Sequence, residues 1–149
     1  MIQLQYEELY VYVDGSYSTS SPTIYAGAYI LVDPTTNQII YEASGCGNKA
    51  VNMRNVAGEL TATMRGTQMA LRLARKAVIF YDYQGIEAWI TGEWKARKPE
   101  TQAYYNFMLK YVYPVKRIQF VKVKAHSGNM FNEMVDDLSK EALLSGKSF

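Results

Sequence analysis

The hydrophobic pattern of the chain changes its period near Asn55, and this change constrains the fold more than any other feature. Before it, three β-rich runs separated by turn residues predict strands over residues 9–13, 24–32 and 38–44. After it, apolar side chains recur every three or four residues for about five turns, which is typical of an amphipathic helix. Strands this close together favour an antiparallel meander that leads into the helix.

The second half of the chain alternates helices and strands. A continuous apolar run over residues 77–81 predicts a strand buried on both faces, with a short helix following near residues 84–90. Residues 91–101 contain glycine and proline and are interpreted as a connection. The remaining pattern predicts a helix over 102–111, a strand over 118–123 and a helix over 129–144. The order β-β-β-α-β-α-α-β-α implies an α/β domain with a mixed five-stranded sheet and helices on both faces.

Length and composition exclude several classes of protein. At 149 residues the chain fits one domain, and its single cysteine, Cys46, cannot form an internal disulfide. The N-terminus does not resemble a signal peptide, and no apolar run approaches the ~20 residues of a membrane span. We therefore expect a cytoplasmic protein without membrane contact. The formal net charge of +2 is too small to decide on nucleic-acid binding.

Two acidic residues follow apolar strands. Asp14 ends the first β-rich run, where we interpret Asp14-Gly15-Ser16 as a turn, and Asp82 ends the buried run before the short helix. Ligand sites in open α/β sheets form beyond the carboxyl ends of the strands. If the two strands are parallel neighbours, the two Asp side chains stand roughly 5 Å apart. At this distance two ionised carboxylates repel each other, so the pair favours a divalent cation between them.

Two more acids lie near helix starts. Glu59 is in the first turns of the long helix and Asp136 is in the last helix. Taken singly, an acid near a helix N-terminus more often stabilises the helix through its dipole than serves a function. Together with the strand-end pair, however, the four acids can converge on one spot. Hard oxygen ligands favour Mg²⁺ or Mn²⁺, and the single histidine excludes the usual His-rich zinc sites. Such a site suits phosphodiester hydrolysis by two metal ions about 4 Å apart.

Four stretches of the chain resemble ribonuclease H of type 1. They are Asp14-Gly15-Ser16 after the first strand, residues 58–62 (GELTA) in the long helix, residues 81–86 (YDYQGI) after the buried strand, and residues 123–136 (VKAHSGNMFNEMVD) around the start of the last helix. The last stretch is the most specific. The resemblance extends from about Leu9 to Leu144 in the right order, and it implies a ribonuclease H-like fold.

The resemblance also implies an activity and a set of site residues. The family hydrolyses the RNA strand of RNA–DNA hybrids and leaves 3′-hydroxyl and 5′-phosphate ends. By resemblance, Asp14 is shared between two Mg²⁺ ions, for which Mn²⁺ can substitute, and Glu59, Asp82 and Asp136 complete their coordination. His126 matches the family's histidine, which assists proton transfer or product departure.

The neighbour of Asp136 is a competing candidate for the fourth ligand. Asp136 and Asp137 point about 100° apart on a helix, so only one of them can face the site. Alignment of Asn132-Glu133 with the family pattern selects Asp136. We expect Asp137 and Glu133 to point outward or to support the ligands indirectly.

The substrate contacts implied by the resemblance come from other parts of the chain. Gly15 and Ser16 match positions that approach the RNA backbone, where a missing side chain permits close contact. Asn55 and Gln84 match positions that reach the minor groove, whose 2′-hydroxyl groups distinguish RNA from DNA. These residues are interpreted as the part of the site that selects the hybrid.

The chain departs from the family pattern in two places. Val56 and Ala57 stand where the family often has an amide and an arginine, so at least one hydrogen bond to the hybrid is missing or replaced. The family's long basic handle helix is shortened here to a segment with Trp94 and Lys95, which could pack against a deoxyribose and a phosphate. Trp89 is expected in the core. We predict modest affinity with strong salt dependence.

Two alternatives to a hybrid-specific enzyme are open at this point. A ribonuclease H-like module could act as a non-catalytic nucleic-acid-binding or assembly domain, but loss of a metal-binding acid would be expected and none is lost. Another nuclease of the same fold, such as a transposase or junction resolvase, does not explain the stretch from His126 to Asp136. We expect a monomeric single ribonuclease H domain over residues 1–149, without a separate hybrid-binding domain.

Overall fold

The elements follow the order that the sequence predicts. The computed structural model describes residues 4–20, 24–47, 53, 55–124 and 128–149. The strands are β1 (Tyr6–Tyr17), β2 (Tyr25–Asp33), β3 (Gln38–Gly47), β4 (Ala74–Tyr81) and β5 (Ile118–Lys122), and the helices are α1 (Asn55–Leu73), α2 (Gly85–Thr91), α3 (Pro99–Leu109) and α4 (Met130–Ser145).

The five strands form one mixed sheet in the order β3-β2-β1-β4-β5. β1, β2 and β3 pair antiparallel as a meander, whereas β1 pairs parallel with β4 and β4 pairs parallel with β5. The predicted fold class is therefore confirmed. Because β1, β4 and β5 run in the same direction, their carboxyl ends lie at one edge of the sheet.

Helices cover both faces of the sheet, as predicted. The odd-numbered side chains of β1, among them Leu9, Val11 and Val13, pack into the larger core under α1, α2 and α3. The even-numbered Tyr12 faces the opposite side and packs with α4 in a smaller core that contains Phe131. No helix in the described part of the chain is both long and apolar enough to cross a bilayer.

The interpretation of residues 14–16 as a turn is wrong, because β1 continues through them to Tyr17. The antiparallel ladder with β2 extends over these residues, pairing Asp14 with Ala28 and Gly15 with Gly27. The parallel ladder with β4 stops earlier, at Tyr12 opposite Phe80. Asp14 therefore still pairs with β2, but it lies beyond the last residue of β1 that pairs with β4.

The start of α3 also differs from the prediction. Pro99 is the first residue of this helix and not part of the connection. Proline fits the first helical position because the missing N–H has no partner inside the helix. Downstream, α4 matches the prediction: the Asn129 side chain accepts a hydrogen bond from the Asn132 N–H at 3.0 Å, and Gly146 ends the helix with a positive φ of 71°.

Candidate active site

α1 approaches the sheet backbone to backbone, and this approach positions the first acid. A Cβ on Gly58 would lie 1.8 Å from the carbonyl oxygen of Ala26, and a Cβ on Gly27 would lie 2.2 Å from the carbonyl oxygen of Gly58. No residue other than glycine fits these positions without moving the helix. Glu59 follows directly and is thereby held against the carboxyl edge of the sheet.

Glu59 is a fully buried acid with two main-chain partners. Its side chain is 1% exposed, and its Oε2 accepts hydrogen bonds from the backbone N–H of Tyr83 at 3.1 Å and of Asp82 at 3.3 Å. Burial raises its pKa to about 7; the nearby Asp82 carboxylate adds to this rise, while the two N–H donors oppose it. The loop after β4 therefore fixes the orientation of this carboxylate.

Asp14 lies between acids from two helices. Burial raises its pKa to about 8, the Glu59 carboxylate adds to the rise, and Asp136 contributes further through a hydrogen bond and its charge. The N–H of Gly15, which donates to Asp14 Oδ1 at 2.9 Å, opposes the shift. Asp14 is thus the member of the set that interacts with acids from both α1 and α4.

Asp136 projects from α4 and is less enclosed. Its side chain is 23% exposed, and its Oδ2 accepts a hydrogen bond from Lys140 Nζ at 2.9 Å. That hydrogen bond raises the pKa of Lys140. Asp137 is exposed, in agreement with the expectation that it points outward.

Asp82 is the first residue after β4. Because Tyr12 pairs with Phe80 in the parallel ladder, Asp14 and Asp82 stand two residues beyond the same register position. The expectation that β1 and β4 are parallel neighbours is therefore confirmed. Asp82 also lies close enough to Glu59 for its charge to affect the pKa of that residue.

These residues fit a divalent cation by their chemistry. All four side chains offer hard carboxylate oxygens. Burial raises the pKa values of Asp14 and Glu59, and neighbouring carboxylates raise them further by a repulsion that a divalent cation would relieve. Within the described residues, no group of three or more His, Cys, Asp and Glu side chains has the arrangement that encloses a metal ion. Three of the carboxylates have protein donors as partners: the Gly15 N–H for Asp14, the N–H groups of Asp82 and Tyr83 for Glu59, and Lys140 for Asp136.

The remaining predicted residues lie around this edge in different settings. Gly15 is buried, and its Cα would lie 3.3 Å from a Cβ on Gly58, which gives it a packing role. The Ser16 hydroxyl donates to the Ser139 carbonyl at 3.1 Å and ties β1 to α4. Gln84 is exposed just before α2. His126 and the side chain of Asn55 lie outside the part of the chain that the structure describes.

An aromatic cluster joins the acidic edge to the predicted substrate segment. The ring centroid of Tyr83 is 5.9 Å from that of Trp89 and 5.9 Å from that of Trp94. Trp89 packs partly buried against the core, as expected. Trp94 and the exposed Lys95 line an open cavity of about 520 Å³, and Lys95 also borders a second cavity of about 230 Å³ that reaches Val56.

The sequence reasoning missed three features of this site. Gly58 could have been noticed, because glycine inside an amphipathic helix costs helix stability and often marks a close approach. Lys140 also left a signal, since an acid followed four residues later by a lysine forms a pair on one helix face. The N–H of Tyr83 left no signal, because a main-chain donor depends on loop geometry and not on residue type.

Comparison with known proteins supports this description. The ribonuclease H family model matches residues 6–144. A protein described as ribonuclease H from Syntrophomonas wolfei subsp. wolfei is 26% identical over 145 residues, covering 93% of this chain and 98% of the relative. The N-terminal ribonuclease H domain of a Mycobacterium tuberculosis protein superposes with a TM-score of 0.78 at 18% identity, covering 94% of this chain and 96% of that one. LC11 ribonuclease H1, solved in complex with an RNA/DNA hybrid, gives a TM-score of 0.74 at 17% identity, covering 92% of this chain and 97% of that one.

The sheet order and its acidic carboxyl edge define the chain as a ribonuclease H-like α/β protein. More specifically, the chain belongs to the ribonuclease H family. This is a family of RNA–DNA hybrid hydrolases that generally use divalent metal ions. The predicted family, fold and enzyme class are confirmed.

Proposed function

We propose that this protein is a metal-dependent endoribonuclease that cleaves the RNA strand of RNA–DNA hybrids by a two-metal mechanism. The observation that carries the proposal is the position of Asp14, whose carboxyl contacts Asp136 and feels the charge of Glu59. Acids that crowd one point of a sheet edge raise each other's pKa and suit a bound cation pair. Family membership supplies the reaction class in which such a site is used.

Each acid has a distinct role in this proposal. Asp14 supplies the shared ligand because it borders acids from both α1 and α4. Glu59 is held by main-chain donors, and Asp82 and Asp136 complete the set of oxygen ligands. Divalent cations bound there, which we take to be two Mg²⁺ ions with Mn²⁺ as a substitute, would activate a water and stabilise the leaving oxygen. If the leaving oxygen is the 3′ oxygen of the RNA, the products carry a 3′-hydroxyl and a 5′-phosphate.

We further propose that the hybrid lies across the surface between the acidic edge and Trp94. Gln84 is exposed two residues after Asp82, where it can reach a minor groove. Trp94 and Lys95 border an open cavity and offer a stacking face and a phosphate partner for the DNA strand. Gly15, Ser16 and Asn55 stay as predicted substrate contacts, and His126 as the predicted proton-transfer residue. We take the active form to be a cytoplasmic monomer.

The test is a substrate panel with matched acid variants. End-labelled RNA–DNA hybrid, single-stranded RNA, duplex RNA and duplex DNA are incubated with the protein and Mg²⁺, Mn²⁺ or EDTA. We expect cleavage of the hybrid alone, abolished by EDTA, with products that carry phosphatase-sensitive 5′ ends and polymerase-extendable 3′ ends. Cleavage of duplex DNA but not of the hybrid would overturn the substrate assignment.

Acid variants test the site in the same assay. Asp14→Asn and Asp136→Asn should each reduce hybrid cleavage by at least roughly a thousandfold, because each removes a metal ligand. Asp137→Asn serves as the matched control, since this exposed neighbour loses the same charge outside the site. Its activity should stay within about twofold of the parent protein. Retained Mg²⁺-dependent cleavage in Asp14→Asn, with an unchanged circular dichroism spectrum, would refute the carboxylate assignment.

A further inference from the structure

Lys140 lies one helical turn after Asp136 and contacts its carboxylate directly. The distance from Nζ to Oδ2 is 2.9 Å. Residues four apart on a helix share one face, and an acid that precedes a lysine at this spacing is the favourable orientation. α4 is a regular helix with both ends capped, so its backbone fixes the spacing of the two side chains. A positive charge therefore stands on one of the candidate metal ligands.

The same charge also acts on the rest of the acidic cluster. Asp14 shares a hydrogen bond with the Asp136 side chain, and its charge contributes to the raised pKa of Lys140. Asp137 contributes in the same direction from the outer side of the helix. Lys140 thus contacts one carboxylate oxygen, and the charges of two further acids attract its ammonium group as well.

The Lys140 side chain can leave this position easily. It is 57% exposed, and its long apolar stem allows the ammonium group to move into solvent. A buried lysine could not move away in this manner, because its departure would leave a buried carboxylate without a compensating charge. Asp136 is 23% exposed, so an arriving cation can reach the carboxylate from solvent.

We propose that Lys140 is a tethered cation that occupies Asp136 and competes with the divalent metal ion for it. Before the metal binds, Lys140 neutralises Asp136 and keeps that carboxylate next to Asp14. When the metal binds, the ammonium group is displaced, and its charge weakens the binding. Lys140 is therefore a positioning residue that sets the metal concentration at which the site fills. The inference rests on the proposed function, because it takes the acids as metal ligands.

The expected effect follows from the charges. A monovalent cation a few ångströms from a divalent one opposes its binding, and solvent near the protein surface weakens but does not cancel the repulsion. Removing the charge should therefore tighten metal binding by roughly three- to tenfold at low ionic strength. Keeping the charge while changing the head group should leave the binding nearly unchanged.

Metal titrations of the whole protein without nucleic acid test this directly. Mn²⁺ binding is followed by loss of the free-ion EPR signal, and Mg²⁺ binding by its competition with Mn²⁺. The variants are Lys140→Met, Lys140→Gln, Lys140→Arg and the control Lys116→Met. Lys116 is exposed and precedes β5, at the end of the sheet opposite the acids, so its loss changes the net charge equally without touching the site.

We expect tighter binding of both metals in Lys140→Met and Lys140→Gln, and values within about twofold of the parent in Lys140→Arg and Lys116→Met. Unfolding temperatures in EDTA verify that all variants are folded. Unchanged or weaker binding in both neutral variants, with normal binding by the parent, overturns this inference and leaves the proposed function standing. If the parent binds neither metal, both proposals fail together. If Lys140→Arg tightens binding as much as the neutral variants do, competition by charge is refuted.

Discussion

The two helices that bring acids to the site hold them in different ways. α1 meets β2 backbone to backbone at Gly58, and the neighbouring Glu59 is 1% exposed with two main-chain donors on one oxygen. α4 packs on the other face of the sheet through apolar side chains such as Val135. Its acid, Asp136, is 23% exposed and is paired with an exposed lysine. One carboxylate is fixed by the backbone and the other by a side chain that can move.

Under the proposed function the site binds cations and releases them, and this difference between the two carboxylates then matters. Glu59 cannot turn without disturbing the N–H groups of Asp82 and Tyr83 or leaving a buried charge without partners. Asp136 can exchange its partner at small cost, because contacts of exposed ion pairs are weak. The α1 side therefore provides a rigid reference for the site, and the α4 side provides its adjustable part.

The largest stability effect should come from breaking the close approach of α1. In Gly58→Ala, the added methyl group meets backbone atoms of Ala26, which cannot move aside as a flexible side chain can. The overpacking should cost about 3 kcal/mol of unfolding free energy, even though alanine favours a helix over glycine. Urea unfolding measures this cost, and hybrid cleavage should fall as Glu59 is displaced.

Gly66→Ala is the matched control on the same helix. Its added methyl group would lie 2.8 Å from Val11 Cγ1 and 3.0 and 3.1 Å from Tyr29 Cγ and Cβ, which are side-chain atoms of the core and not backbone. Repacking these side chains costs stability, but the helix gains about 0.5–1 kcal/mol from alanine, so the net loss should be about 1 kcal/mol and smaller than that of Gly58→Ala. Equal losses in the two variants would show that the backbone contact at Gly58 has no special role.

A second effect, shared by both sides of the site, should appear as a dependence of stability on pH. The folded protein raises the pKa of Asp14 to about 8 and of Glu59 to about 7, from ordinary values of 3.8 and 4.5. Above about pH 5 the unfolded chain has lost these protons, whereas the folded protein gives up the Glu59 proton only near pH 7 and the Asp14 proton only near pH 8. Stability in EDTA should therefore fall by a few kcal/mol as pH rises through this window, and level off above about pH 8.

Chemical unfolding at a series of pH values in EDTA measures this slope. Asp14→Asn should flatten the slope and raise stability at pH 8, because it removes one of the crowded charges. A stability that rises from pH 5 to pH 8 would contradict the description of a crowded acidic site.

Most of the fold could be predicted from local pattern. The change of hydrophobic period at Asn55 separated the meander from the helical half, and Asn129 and Gly146 marked the ends of α4 correctly. The extent of β1 could not be predicted, since Asp14-Gly15-Ser16 has turn composition but is held in the ladder by β2. Tertiary pairing overrode local preference at that point.

The acids of the candidate site could be predicted from the sequence, but the groups that hold these acids in place could not. Asp14 and Asp82 follow apolar runs, so strand-end geometry brings them together from pattern alone. Glu59 and Asp136 carried weak individual signals, and the ordered resemblance over residues 58–62 and 123–136 was needed to select them. The donors that hold Glu59 belong to the main chain, and a sequence does not show where main-chain N–H groups will point.

The smallest effect should separate two threonines on adjacent turns of α1. Both are fully buried; the Thr63 hydroxyl donates to the Glu59 carbonyl at 2.8 Å, whereas the Thr67 hydroxyl has no hydrogen-bond partner among the described residues. Thr63→Val should cost about 1 kcal/mol of unfolding free energy, because it removes a hydrogen bond on the helix that fixes Glu59. Thr67→Val should be neutral or stabilising by about 1 kcal/mol, because the same change removes an unsatisfied buried hydroxyl. The two variants are compared by their denaturant midpoints, with equal slopes of unfolding free energy against denaturant concentration. A larger loss of stability for Thr67→Val than for Thr63→Val would contradict this account of how α1 is held.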